Sequence, residues 1–417
     1  MGAGPADLNS GAFVCDLSNS CIRRALRGES LKGDHRRMIA MLLRPAVAAL
    51  GLFALLFALP APAAQIETAA GHAILLDFET GTVMLEKAAD QPIPPASMSK
   101  LMTLYMVFDK LKHGELKLDD TLPVSEKAWR MQGSKMFVHV GDRVRVEDLL
   151  RGVIIQSGND ACIVLAEGIS GSEEAFAEQA TELGRKLGLT HSTFRNATGW
   201  PEEGHMMTVR DIATLSRHIL TDFPDFYPLF SEIEFTYNNI KQGNRNPLLY
   251  KNMGVDGLKT GHTEEAGYGL SASAMRNGRR LILVVHGLAG VNERSQESER
   301  LLEWGFREFD NATIAKAGEP IETAPVWLGA APTVPLTVAS DVKVTLPRSA
   351  RRKLTAAVRF DGPLPAPIRK GDSIATLRVE AEGMPPMDIP LVAGADVERL
   401  GMVGRLGANL RYLFLGS

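Results

Sequence analysis

Strand-like sequence stands at both ends of a long helical stretch, and this spacing constrains the fold more than any other feature. Residues 73–88 (AILLDFETGTVMLEKA) are two apolar runs around Glu79-Thr80-Gly81, the pattern of a β-hairpin. Comparable segments return only at 255–260 (VDGLKT), 268–275 (YGLSASAM) and 280–286 (RLILVVH), with the turn NGRR at 277–280. Between them the apolar spacing is helical. In SMSKLMTLYMVFDKL it runs through Met98, Leu101, Met102, Tyr105, Val107, Phe108 and Leu111, and Gly114 ends it. Further helices are predicted over about 146–155, 160–169, 173–187, 208–220 and 294–309. Early and late strands around central helices predict one sheet with helices packed on it, an α+β fold.

Two other regions stand apart from this unit. From 316 to about 397 Pro, Gly, Val and Thr dominate, and VKVTL, LTAAVRF and SIATLRVEA read as short strands of a small β-rich domain. Residues 398–417 place Leu400, Val403, Leu406, Leu410, Leu413 and Phe414 near one helical face, with Arg399, Arg405 and Arg411 beside it. An apolar face with arginines and an aromatic end predicts a helix lying in a membrane interface.

The N-terminus carries a different signal. PAVAALGLFALLFAL at 45–59 is uncharged and apolar, follows Arg36, Arg37 and Arg44, and leads into PAPAA. A span needs about 20 apolar residues, so this run is too short to cross a bilayer. Its flanks are those of a secretory signal, with Ala61-Pro62-Ala63 as an A-x-A cleavage site. Residues 1–63 are therefore expected to be an extension and signal peptide, with 64–315 the main domain. Of three cysteines only Cys162 lies beyond the signal, in the apolar stretch ACIVLA, so no internal disulfide is expected and Cys162 reads as core. A net charge of −3 without a basic block gives no support to nucleic-acid binding.

The chemistry begins at PPASMSK, residues 94–100. Two prolines bar helix before Ser97, which puts Ser97 in a first turn, and Lys100 falls on the same face. Alone this reads as a helix N-cap. Two further motifs follow in order: SGND at 157–160, between two helices, and KTG at 259–261, on a strand-like segment. Three such motifs in this order and in these elements define an active-site serine enzyme. A serine hydroxyl needs a base, and Lys100 can serve if burial near a second cation, Lys259, keeps it neutral. Ser157 can relay a proton to the leaving amine. Asn159 can donate to the substrate amide and hold the lysine. Lys259 makes the pocket positive, the Thr260 hydroxyl can bind a terminal carboxylate, and Gly261 lets a substrate backbone lie against the strand. Backbone N–H groups of Ser97 and His262 are the expected oxyanion donors. The nine histidines show no metal-binding spacing, and no metal or other cofactor is assigned.

These motifs, with FRNATGW (194–200), HMMTVRDIA (205–213), VDGLKTGHTEEAGYGLSASA (255–274) and ERLLEWGF (299–306), give a chain that resembles the low-molecular-mass penicillin-binding proteins, the serine-type D-alanyl-D-alanine carboxypeptidases of the DacA type. The resemblance covers about 66–310, and more loosely the β domain and tail. It implies a β-lactamase/transpeptidase-like catalytic domain and removal of the terminal D-Ala from peptidoglycan pentapeptides. It implies β-lactams as covalent inhibitors. It implies a periplasmic location, with the C-terminal helix on the inner-membrane surface. By the same resemblance Ser97 is acylated, Lys100 is the base, and Arg294 lies near the substrate carboxylate. Trp200 stands where the family often has an aliphatic residue, and His262 where it often has Tyr. The alternatives are a cross-link endopeptidase or transpeptidase, a class A-like β-lactamase, and an inactive peptidoglycan-binding scaffold. The S-G-N form of the second motif, and the lack of an E-x-x-L-N acid, argue against the β-lactamase.

Overall fold

The computed structural model describes residues 13–16, 66–382 and 385–406. The apolar run 45–59 and the last residues of the tail, 407–417, lie outside them. The chain divides into two compact units. One is Ile66–Phe309. The other comprises the described residues from Asp310 onward together with the short strand Phe13–Asp16.

The first unit is built on a five-stranded antiparallel sheet. Its strands are β1 (His72–Asp77), β2 (Val83–Lys87), β3 (Val255–Thr263), β4 (Gly267–Arg276) and β5 (Arg279–Leu288), in the order β2-β1-β5-β4-β3. The early hairpin and the late strands thus pair, with β1 against β5 in register from Leu281↔Asp77 to His286↔His72. Side chains alternate along a strand, so each strand feeds two cores. Ile74, Leu76, Ile282 and Val284 face the central helices. Ala73, Leu75, Leu281, Leu283 and Val285 face the opposite way, onto Leu301 and Leu302. Both faces are covered, which is why RLILVVH reads as a continuous apolar run.

The helices are α1 (Lys100–Lys112), α2 (Val146–Ile154), α3 (Asn159–Ser170), α4 (Glu173–Lys186), α5 (Val209–Asp222) and α6 (Val291–Glu308). Ser172 and Thr208 cap α4 and α5 through the N–H groups of Ala175 and Asp211. Glu147 and Asp148 stand in the first turn of α2, where the helix dipole favours negative charge. α6 covers the second face of the sheet.

In the second unit a seven-stranded sheet includes Thr355–Phe360, Ser373–Glu380 and Met387–Ala393. Its core holds Val334, Leu336, Val358, Leu377, Val379 and Leu391. Three details differ from the sequence reading. Phe13–Asp16, in the segment read as an N-terminal extension and signal peptide, pairs antiparallel with Thr355–Phe360. The units divide at Phe309/Asp310, before the compositional shift at 316, because Phe309–Ala315 is itself a strand and pairs with Val342–Pro347. Residues 398–400 are not helical: Ala330 N–H donates to the Glu398 carbonyl and Leu400 N–H to the Leu328 carbonyl. Helix begins only at 402.

Candidate active site

Ser97 sits in a 3-10 turn, Ala96–Ser99, and α1 starts at Lys100. Its hydroxyl caps nothing in that turn, so the N-cap reading of PPASMSK does not apply. Ala96 holds a positive φ of 48°, a left-handed conformation uncommon for alanine, and that bend turns Ser97 outward. Gly199 packs against the same turn. A methyl group there would lie 1.9 Å from the Ala96 carbonyl oxygen, and its φ is +75°.

Lys100 is fully buried. Its Nζ lies 2.8 Å from Ser97 Oγ, 2.7 Å from Asn159 Oδ1 and 2.6 Å from the Thr198 carbonyl. Two of these neighbours are pure acceptors. A neutral amine gives its two N–H groups to them, and its lone pair is left for the serine hydroxyl. Burial is the main force lowering its pKa, to about 8, with Arg245 adding to it while Cys162 and Asp160 act the other way. The carboxamide of Asn159 is fixed by its own bond from Nδ2 to the Gln132 carbonyl, 2.7 Å.

The second motif forms the turn from α2 into α3. Ser157 has φ +57°, and Asn159 is the first residue of α3 rather than a loop residue. The Asn159 N–H donates to the Ser134 carbonyl at 2.7 Å. The buried Asp160 carboxylate accepts from the N–H groups of Met136 and Phe137, each at 2.8 Å. Asp160 therefore ties the 131–138 segment to the motif, a role the sequence reading did not assign.

The third motif runs along β3, the edge strand. Lys259 Nζ is 2.8 Å from Ser157 Oγ and 3.1 Å from the Thr260 carbonyl. Burial, then the charges of Lys100 and Arg245, hold Lys259 well below the ordinary lysine range. Thr260 is buried, and Gly261 faces Pro95 and Met98 of the nucleophile segment. The structure thus brings Ser97, Lys100, Ser157, Asn159 and Lys259 into one hydrogen-bonded cluster, with Thr260 and Gly261 beside it.

His262 lies in β3. Its ring is exposed and stacks on Tyr268 at 3.9 Å. Arg294 is buried in the first turn of α6, over the Tyr268 ring at 5.6 Å, and its Nε has no hydrogen-bond partner among the described residues. Its charge reaches Lys259.

Three side chains missed in the sequence complete the setting. His205 Nε2 lies 2.8 Å from Ser99 Oγ, and its Nδ1 accepts from the Arg195 N–H. His286 Nε2 donates to the Pro94 carbonyl at 3.0 Å. Arg245 donates to Ser134 Oγ. No spacing signal marks the contacts to Ser99, Pro94 and Ser134, since each joins residues more than a hundred positions apart.

A buried lysine beside a serine, a serine–asparagine turn over it and a lysine-bearing edge strand form an arrangement with the chemistry needed for serine acyl transfer. The comparisons agree. The D-alanyl-D-alanine carboxypeptidase family, Peptidase_S11, matches residues 60–289, and the penicillin-binding protein 5 C-terminal domain matches 309–399. The D-alanyl-D-alanine carboxypeptidase DacC of Escherichia coli (strain K12) is 42% identical over 341 residues, 80% of this chain and 85% of that one. Penicillin-binding protein 5 of Haemophilus influenzae superposes with a TM-score of 0.74 at 36% identity, covering 80% of this chain and 99% of that one. Penicillin-binding protein D2 of Listeria monocytogenes, in its cefotaxime-bound form, gives a TM-score of 0.53 at 30% identity, over 58% of this chain and 98% of that one. The chain belongs to the D-alanyl-D-alanine carboxypeptidase family, Peptidase_S11.

Proposed function

We propose that this chain removes the terminal D-alanine from peptidoglycan pentapeptides through an acyl-enzyme on Ser97, and that β-lactams acylate the same serine. The observation that carries this is Lys100 Nζ, buried, 2.8 Å from Ser97 Oγ, with both its N–H groups engaged by fixed acceptors. Lys100 takes the hydroxyl proton as Oγ attacks the penultimate D-Ala carbonyl. The Ser97 and His262 N–H groups hold the oxyanion. The C–N bond then breaks, and the proton taken up by Lys100 passes by way of Ser157 to the departing amine, so that Lys100 is neutral again. Water attacks the ester, Lys100 takes its proton, and Ser97 regains its hydroxyl as the peptide leaves. Lys259, Thr260 and Arg294 hold the terminal carboxylate. A site this cationic at its end favours a free carboxylate, hence carboxypeptidase over endopeptidase action.

Export and membrane contact complete the reading. Residues 1–63 direct the chain to the periplasm, and the tail rests on the outer face of the inner membrane. Supporting this, Met402, Val403 and Leu406 are 82%, 88% and 64% exposed, an apolar group left in solvent. Among the described residues no helix is long and apolar enough to cross a membrane. The test of the activity is release of free D-alanine from a peptide ending in D-Ala-D-Ala. The wild-type chain releases it and Ser97→Ala does not. Equal release by both would refute the assignment.

A further inference from the structure

A cavity of about 430 Å³ opens beside the nucleophile turn, on the side away from the carboxylate-binding cations. Pro95 and Ala96 form one wall, Trp200 and Glu203 a second, and Thr263 and Glu265 a third. None of Lys259, Thr260 and Arg294 lines it.

Its position along β3 gives it a meaning for the substrate. Lys259 and Thr263 are four residues apart on an extended edge strand, about 13 Å. The terminal carboxylate occupies the Lys259–Thr260 end, and the reacting carbonyl lies at Ser97. The acyl half of the peptide must then leave toward Thr263, with its backbone free to pair with the open strand edge. The cavity lies where the side chain of the residue preceding D-Ala-D-Ala would fall.

The lining sets what that side chain is. Trp200 is 44% exposed, yet its ring belongs to the cleft. A side chain at Gly133 would meet Trp200 Cζ3 at 2.8 Å and Asn159 Nδ2 at 2.9 Å, so indole and carboxamide rest on the same backbone. Glu202, also at the cavity, is engaged by Asn196 Nδ2 at 2.9 Å. The Glu203 and Glu265 side chains, from separate segments, have no hydrogen bond or ion pair among the described residues. An apolar stem can lie on the indole in a cavity that two uncommitted carboxylates also line. That chemistry suits an ammonium group, which the indole face also attracts.

The geometry points to a specificity subsite in which Trp200, Glu203 and Glu265 receive the amine-ended side chain of the residue preceding D-Ala-D-Ala. This rests on the carboxypeptidase reading above and extends it to the choice of peptide.

The experiment compares two peptides with the full-length chain. One is Nα-acetyl-L-Lys-D-Ala-D-Ala, with a free side-chain amine. The other is its Nα,Nε-diacetyl counterpart, in which that charge is removed. The wild-type chain prefers the free amine roughly fivefold in kcat/KM, the scale of exposed ion pairs, and the preference shrinks in high salt. In the double variant Glu203→Gln/Glu265→Gln, and separately in Trp200→Leu, the ratio falls toward one. Penicillin acylation of each variant establishes that it is folded. Equal kcat/KM for the two peptides in the wild type, or a preference that survives the double variant, overturns the subsite alone. No D-alanine from either peptide overturns the carboxypeptidase reading and the subsite with it.

Discussion

At the scale of single residues the chemistry turns on where protons sit. Lys100 is useful as a base only when neutral, and burial brings its pKa to about 8. Acylation by penicillin is therefore expected to rise with pH up to that value. Below it, the rate falls about tenfold per pH unit as the amine protonates. Lys100→Ala removes the base and is expected to lower acylation roughly a thousandfold, without unfolding the chain. Stopped-flow acylation across pH 5–9 checks both. His205 and His286 hold the segment Pro94–Ser99 from two sides, and burial lowers each to about 4 from an ordinary 6.5. The unfolded chain takes up protons at these positions as pH drops through 6.5, and the folded chain does not. Stability present above about 6.5 is thus lost progressively down to about 4. Thermal midpoints measured from pH 7 to 4.5 should drop less in His205→Gln than in the wild-type chain.

At the scale of elements, the site is a meeting of turns. The nucleophile turn, the α2–α3 turn and the edge strand β3 each bring one motif, and the Thr198–Trp200 segment closes beneath them. Gly199 is the tightest point of that closure. Gly199→Ala places a methyl against the Ala96 carbonyl at a backbone angle alanine resists. It is expected to cost about 2 kcal/mol or more and to slow acylation of Ser97. Denaturant unfolding and penicillin acylation of the variant test this together. The sequence could not have shown this closure. PPASMSK, SGND and KTG were legible because each is local and each implies its own element. The single sheet was legible from the early hairpin, the apolar run RLILVVH and the late turn at Asn277-Gly278, while the covering of both its faces was not. Asp160, Thr198, His205 and Arg245 were not legible in their roles. Their partners are set by tertiary packing, and nothing in spacing or propensity predicts a carbonyl that meets a lysine 98 residues away. The start of the tail helix was misread for a related reason. Leu400 continues the apolar period, but residues 398–400 satisfy their backbone groups against 328–330 instead.

At the scale of the whole molecule, catalytic and membrane-facing functions are read from separate parts of the chain. If the tail anchors the protein, deleting 401–417 releases it from membranes while D-alanine release in solution is unchanged; unchanged membrane association in a fractionation experiment would count against the anchor. The central claim, that Ser97 is the nucleophile served by Lys100, has a more direct test. The full-length chain is incubated with penicillin, digested and mapped by mass spectrometry. The penicilloyl mass is expected on the peptide containing Ser97, and none in Ser97→Ala. An adduct on another residue, or no adduct on a folded wild-type chain, would contradict it.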